Sequence, residues 1–151
     1  MRRHQGFTLI EIMIVVAIIA LIAAIAVPSF LRARQQAQNA KFVNDLRIAT
    51  GAFEMYFMEN NGYPPDVNRG IVPPGMALYF GPKLDFTRST ALGGNWDWDS
   101  NVFGFDAGVS VVGSTKSAEQ FLDIDRKIDD GNLNTGHFQN TAGGRYTDIL
   151  E

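Results

Sequence analysis

Residues 6–34 read GFTLIEIMIVVAIIALIAAIAVPSFLRAR, and the organisation of the whole chain follows from them. From Phe7 to Val27 there are 21 residues whose only charge is Glu11. As an α-helix rising about 1.5 Å per residue, the run is roughly 31 Å long, close to the ~30 Å thickness of bilayer hydrocarbon. A single membrane-spanning helix is therefore physically adequate. Arg2 and Arg3 precede it and place the N-terminus on the cytoplasmic side, where loops rich in Lys and Arg remain. Arg32 and Arg34 on the far flank weaken that asymmetry.

Glu11 is the residue that a membrane segment does not account for. A charge at the bilayer centre costs on the order of 2.5–3.5 kcal/mol on the most lenient insertion scales. One turn inside, the cost is smaller, yet a plain anchor offers nothing to offset it. A removable secretory signal is the other ordinary reading, with Ala24-Ile25-Ala26 as its small-x-small cleavage site and a secreted binding protein as its product. A carboxylate near the start of a signal core counts against that as well. Glu11 needs a partner.

The string GFTLIE behind a short basic leader resembles the N-terminus of type IV pilins and of the pseudopilins of type II secretion systems. The likeness covers about 30 residues, and its string is rare beside a basic leader. It implies a leader over residues 1–6, cut between Gly6 and Phe7 by a membrane peptidase that then methylates the new Phe7 amine. Glu11 falls on the family's glutamate and Pro28 on its frequent helix-bending proline. The pattern departs at Ala20, where many pilins carry glycine, so it carries no expectation that the helix melts there during assembly. The cut would create a cation one helical turn from Glu11. In the family this glutamate pairs with the amine of a neighbouring subunit, which sets axial register as a buried polar group can in a coiled coil.

Beyond the apolar run, residues 28–61 form the second half of the same helix. Pro28 removes one donor and bends the helix without ending it, since the helical pattern resumes at once. Phe42, Leu46, Ala49, Phe53, Tyr56 and Phe57 recur at helical spacing as one stripe, to be packed on the chain's own body. Arg32–Asn39 is mostly polar, and is expected to emerge from the membrane before that body begins. Asn60-Asn61-Gly62 and the prolines after it stop the helix through a left-handed cap. This ENNGYPPD stop also resembles the turn after the long helix of major pseudopilins.

Residues 62–151 are the globular body, too small for a stable sheet unless it packs on the helix stripe. The stretch 63–75, with four prolines, is loop, and MALYF at 76–80 is a short helix or strand. NWDWD at 95–99 alternates, which puts Trp96 and Trp98 on one face and Asp97 and Asp99 on the other. VFGFDAGVSVVG at 102–113 is one strand, or two with a turn near Ala107-Gly108. A helix starts at a Ser117 cap and carries Phe121, Ile124 and Ile128, and RYTDIL at 145–150 is the last strand. The fold class is therefore α+β: a long N-terminal helix on a small, mainly antiparallel sheet. No repeat or low-complexity segment interrupts it.

Composition and motifs narrow the function further. The body holds seven Lys or Arg against twelve Asp or Glu, without a basic stripe, which argues against nucleic acid as the main ligand. With no cysteine there is no disulfide, thiolate metal site or cysteine nucleophile. His137 has no motif partner, and no triad, phosphate loop or zinc pattern assembles, so no enzyme is expected. Trp96 and Trp98 are read as core in preference to a sugar-stacking platform. The acidic stretch 123–136 offers oxygen ligands of the kind calcium prefers: Asp123, Asp125, Asp129, Asp130, Asn132 and Asn134. Asp125, Asp129, Asp130 and Asn132 are the calcium candidates, although Gly136 and Thr141 stand out of register for an EF-hand and turn chemistry explains such clusters as well. Calcium is then expected to raise the melting temperature of the fragment from Ser29 onward. Major pseudopilins bind calcium in a C-terminal loop.

The resemblance implies a structural subunit of a pilus-like filament, foremost a type II secretion pseudopilin, with a type IV pilin for adhesion, motility or DNA uptake as the alternative. Its partners would be the prepilin peptidase and methyltransferase, further pilin-like subunits or copies of itself, and an inner-membrane assembly platform. It would sit as a single-pass protein in a bacterial inner membrane, N-terminus cytoplasmic, with the body periplasmic or extracellular in the filament.

Overall fold

A computed structural model describes residues 6–151. The basic leader residues Arg2 and Arg3 therefore lie outside the described residues. The first element, α1, runs Leu9–Asn60 and contains Pro28 without a break. The chain divides into two compact units, the first ending at Ala37 and the second running Gln38–Glu151. In the first unit every apolar side chain from Phe7 to Leu31 is exposed, and the segment is long and apolar enough to cross a membrane.

In the second unit the rest of α1 lies against a four-stranded antiparallel sheet. The strands are β1 (Asn95–Val102), β2 (Phe105–Val112), β3 (Phe138–Ala142) and β4 (Arg145–Ile149), in spatial order β1-β2-β4-β3. Two short hairpins and the helix α3 (Ala118–Ile128) between β2 and β3 account for that order; α2 (Ala77–Phe80) precedes the sheet. Phe42, Leu46, Ala49 and Phe53 of α1 are buried, joined by Ala52. Phe42 stacks on Trp96 at 5.4 Å and Phe53 on Trp98 at 3.7 Å between ring centroids. Paired rings of this size bury a large apolar area, which a body this small needs. On α3, Phe121 stacks on Tyr146 of β4 at 3.7 Å.

The stripe ends earlier than its spacing suggests. Tyr56 is half-buried, and Phe57 is exposed with its ring against Tyr63 at 4.6 Å. It also begins earlier: Asn39, in the segment expected to be free of the body, is 2% exposed and accepts a 2.7 Å hydrogen bond from Gln120 of α3. The helix stops where the sequence indicates, with Asn61 rather than Gly62 in the left-handed conformation at φ 54°. Asparagine tolerates that region better than other side chains.

The hairpin turn is not at Ala107-Gly108 but at Phe103-Gly104, between the paired residues Val102 and Phe105. Both turn residues have positive φ, 55° and 93°, which makes this the tight two-residue turn that suits strand twist. Gly108 lies inside β2 for a packing reason: an added Cβ would meet Thr147 Cγ2 at 2.6 Å and Phe105 Cε2 at 2.8 Å. MALYF is helical over its last four residues. The strand β3, missing from the sequence expectation, pairs with β4 around Gly143-Gly144.

Candidate assembly segment and acidic loop

The exposed helix start is built by two side chains. Thr8 sits just before α1 and Glu11 at its third position. The Thr8 N–H and hydroxyl both donate to Glu11 Oε2, at 2.8 and 2.9 Å, and the Glu11 N–H donates to Thr8 Oγ1 at 3.3 Å. This is a reciprocal cap, which satisfies donors that a helix start otherwise leaves open. The Thr-x-x-Glu spacing that signals it stands in the sequence at 8–11, so Thr8 is the member that reading Glu11 only as a charge overlooks. Both side-chain bonds use Oε2; among the described residues none bonds Oε1. Gly6, Phe7 and Thr8 are exposed and not helical.

The acidic loop follows α3. Oxygens of Asp125, Asp129 and Asp130 lie within 4.8 Å of one another. Asp125 is fully buried, and neither of its carboxylate oxygens has a hydrogen-bond partner among the described residues. Burial raises its pKa and the charges of Asp129 and Asp130 raise it further, against the opposing pull of the nearby Asn132 and Gly131 backbone N–H groups. Asp129 caps the start of β3, accepting from the His137 N–H and, at 2.8 Å, from Phe138 N–H. Asp130 accepts from Asn132 N–H at 2.8 Å and from the Thr135 hydroxyl at 2.6 Å. Of the other oxygen candidates, Asn132 spends its side-chain oxygen on Asn134, and Asp123 faces Arg126 at 3.1 Å. The loop is thus part turn chemistry and part carboxylate cluster, and the unpartnered pair of oxygens on Asp125 is what turn chemistry does not explain. His137 enters only through its backbone and through its charge, which lowers the pKa of Asp148 against the stronger effect of burial.

Trp96 and Trp98 are not a binding platform. They are 2% and 0% exposed, and the Trp98 indole N–H donates to the Pro64 carbonyl at 3.0 Å. Asp97 and Asp99 do face the opposite side of β1, yet they too are buried, at 5% and 3% exposure. Arg145 of β4 reaches both, a partnership across 46 to 48 positions that leaves no local trace in the sequence.

Residues 1–27 match the model of the prokaryotic N-terminal methylation motif. The chain is 41% identical over 64 residues to type II secretion system core protein G of Klebsiella pneumoniae, an alignment covering 42% of this chain and 46% of that protein. It is 46% identical over 63 residues to the type IV wide pilus major component PilA4 of Thermus thermophilus, covering 42% and 48%. The chain thus spans about half the length of the relatives it matches. Its fold is similar to that of the major type IV pilin PilA1 of Clostridium difficile, with a TM-score of 0.52 and 16% identity over 77% of this chain and 96% of that one. The methylation motif, the long apolar helix and the pilin-like fold behind them agree with one another, and each is similar to what type IV pilins and pseudopilins carry.

Proposed function

We propose that this chain is a non-catalytic subunit of a pilus-like filament, and foremost a pseudopilin of a type II secretion system. The observation that carries this is the segment from Gly6 to Glu11, a non-helical Gly-Phe junction next to a capped helix start, at the head of an apolar run that can span a membrane. On this reading a peptidase cuts Gly6–Phe7 and methylates Phe7, the chain waits in the inner membrane with its N-terminus cytoplasmic, and an assembly platform extrudes it with further pilin-like subunits. Mass spectrometry of the mature protein is expected to find N-methyl-Phe7 as the first residue. Val27 as the first residue would overturn the filament reading in favour of a secreted protein. The relative PilA4 keeps a type IV pilus as the second reading. Deleting the chain separates the two: lost exoprotein secretion with surface pili intact favours the pseudopilin, and the converse favours the pilin.

The same body has the donor set of a cation site. Asp125, Asp129 and Asp130 would hold calcium, a hard cation that takes six to eight oxygens, and the bare oxygens of Asp125 fit that need. Its charge would offset three carboxylates that otherwise repel. Binding to the native state alone stabilises by about 2.7 kcal/mol at a hundredfold excess over Kd. Millimolar calcium should therefore raise the melting temperature of the full chain in detergent by several degrees over chelator, and Asp125→Asn should abolish the response. Identical melting curves in calcium and chelator would remove calcium from the function.

A further inference from the structure

We propose that Asp97, Asp99 and Arg145 form a latch across the outer face of the sheet that is stabilised by uptake of a single proton. Strand β1 supplies both carboxylates and β4 the guanidinium, with β2 between them. All three contacts fall on one nitrogen: Arg145 Nη1 lies 2.8 Å from Asp97 Oδ2 and 2.7 and 2.6 Å from the two oxygens of Asp99. That nitrogen has only two hydrogens to give. The Ser110 hydroxyl donates to Asp99 Oδ2 and lies 2.8 Å from the Thr147 hydroxyl, so Asp99 is the better served carboxylate. Asp97 Oδ1 is buried with no hydrogen-bond partner among the described residues. The Phe103 ring covers the guanidinium, 4.6 Å from its carbon to the ring centroid.

Two buried carboxylates against one cation leave one negative charge in excess. An unbalanced buried charge costs several kcal/mol, and a carboxylate relieves it by taking a proton. The other charged group near Asp97 is a further carboxylate, Asp66, which adds to the repulsion; Ser110 and Thr147, from the neighbouring strands, do not titrate. Burial accordingly pushes Asp97 up to about 6, with the hydrogen bond from Arg145 opposing and Asp99 reinforcing the shift. Asp99 is also raised, by burial. With Asp97 neutral, one carboxylate faces one guanidinium and the latch is balanced. With Asp97 ionised, the site holds one uncompensated negative charge, and Asp97 is repelled by Asp99 on its own strand and by Asp66, which destabilises the folded body.

The direction of the pH effect follows from linkage. The folded chain keeps the Asp97 proton down from about pH 6, whereas the unfolded chain releases it until about pH 4. Stability therefore rises as pH falls from 7 towards 4, and is lost again on return to neutrality. Asp148 is likewise pushed up to about 6 by burial, so its contribution is removed first with Asp148→Asn.

Full-length Asp148→Asn chain in detergent is the material for the test. The Asp97 carboxyl carbon, followed by NMR, should titrate with a midpoint of about 6. Its melting temperature should be several degrees higher at pH 5 than at pH 7.5, roughly 4–8 °C in a domain of this size. Adding Asp97→Asn should clearly reduce that rise, while the other raised carboxylates, Asp99 and Asp125, keep their share. A midpoint near the ordinary ~4 of aspartate, or an undiminished rise after Asp97→Asn, overturns the latch. Should Asp97→Asn fail to fold, the titration of the Asp148→Asn chain decides alone.

Discussion

No filaments should form from a chain carrying Glu11→Ala, although cleavage at Gly6–Phe7 continues. The substitution removes two things together. One is the reciprocal cap with Thr8, for which losses of about 0.5–2 kcal/mol are usual. The other is the charge that a neighbouring subunit's amine would meet in low dielectric, where the alternative is an unpaired cation. Glu11→Gln separates them, because glutamine serves as well as glutamate in a reciprocal cap but carries no charge. If the charge decides assembly, Glu11→Gln fails as completely as Glu11→Ala; if the cap suffices, Glu11→Gln assembles. Electron microscopy of sheared material from cells reads either outcome. Filaments of normal number from Glu11→Ala would show the carboxylate to be incidental.

Trp98→Ala should leave the body largely unfolded. Trp98 is fully buried, stacks on Phe53 of α1 at 3.7 Å, and binds the Pro64 carbonyl. Truncating a buried Trp costs about 3–5 kcal/mol, and an orphaned buried carbonyl adds about 1–3. Whole domains are stable by only about 5–15 kcal/mol. The contact ties β1 to both α1 and the loop after it, so nothing else in the core replaces it. Thermal unfolding followed by circular dichroism is expected to show a lost or strongly lowered transition. Trp98→Phe, which keeps the stacking area and loses only the indole N–H, should retain a transition at reduced temperature. An unaltered curve for Trp98→Ala would show that the helix does not depend on β1.

What the sequence disclosed is what short-range chemistry determines. The α1 stripe, the ENNG stop and the Ser117 cap each lie within a few residues, and each governs the element beside it. The Ser117 hydroxyl does accept the Gln120 N–H, at 3.3 Å. The alternation of NWDWD gave the two faces of β1 but not the burial of both, because Asp97 and Asp99 are held by Arg145 of β4, far away in sequence. The turn at Phe103-Gly104 was hidden for a related reason: Phe is a poor residue for positive φ, and Ala107-Gly108 offered the more ordinary signal. The glycine there is instead required by the close approach of Thr147 from β4. Strand β3, with Gln139 and Asn140 in place of β-branched residues, has little intrinsic tendency to be a strand and is held by its pairing with β4. At the candidate sites the sequence identified Glu11 and the acidic loop by residue type. Which oxygens stay bare, and that Thr8 completes the cap, are matters of three-dimensional placement.

The reciprocal cap has one more consequence, for the order of events at the N-terminus. Because α1 begins only at Leu9, the Gly6–Phe7 peptide bond stays outside the hydrogen-bonded ladder, two residues upstream of the first coil. A protease must grip its target as open backbone, and a helix extended back by one turn would have hidden this bond in its own hydrogen bonds. If the chain is processed as proposed, Thr8 and Glu11 would act as punctuation, marking off a cuttable phrase from the span that has to survive it.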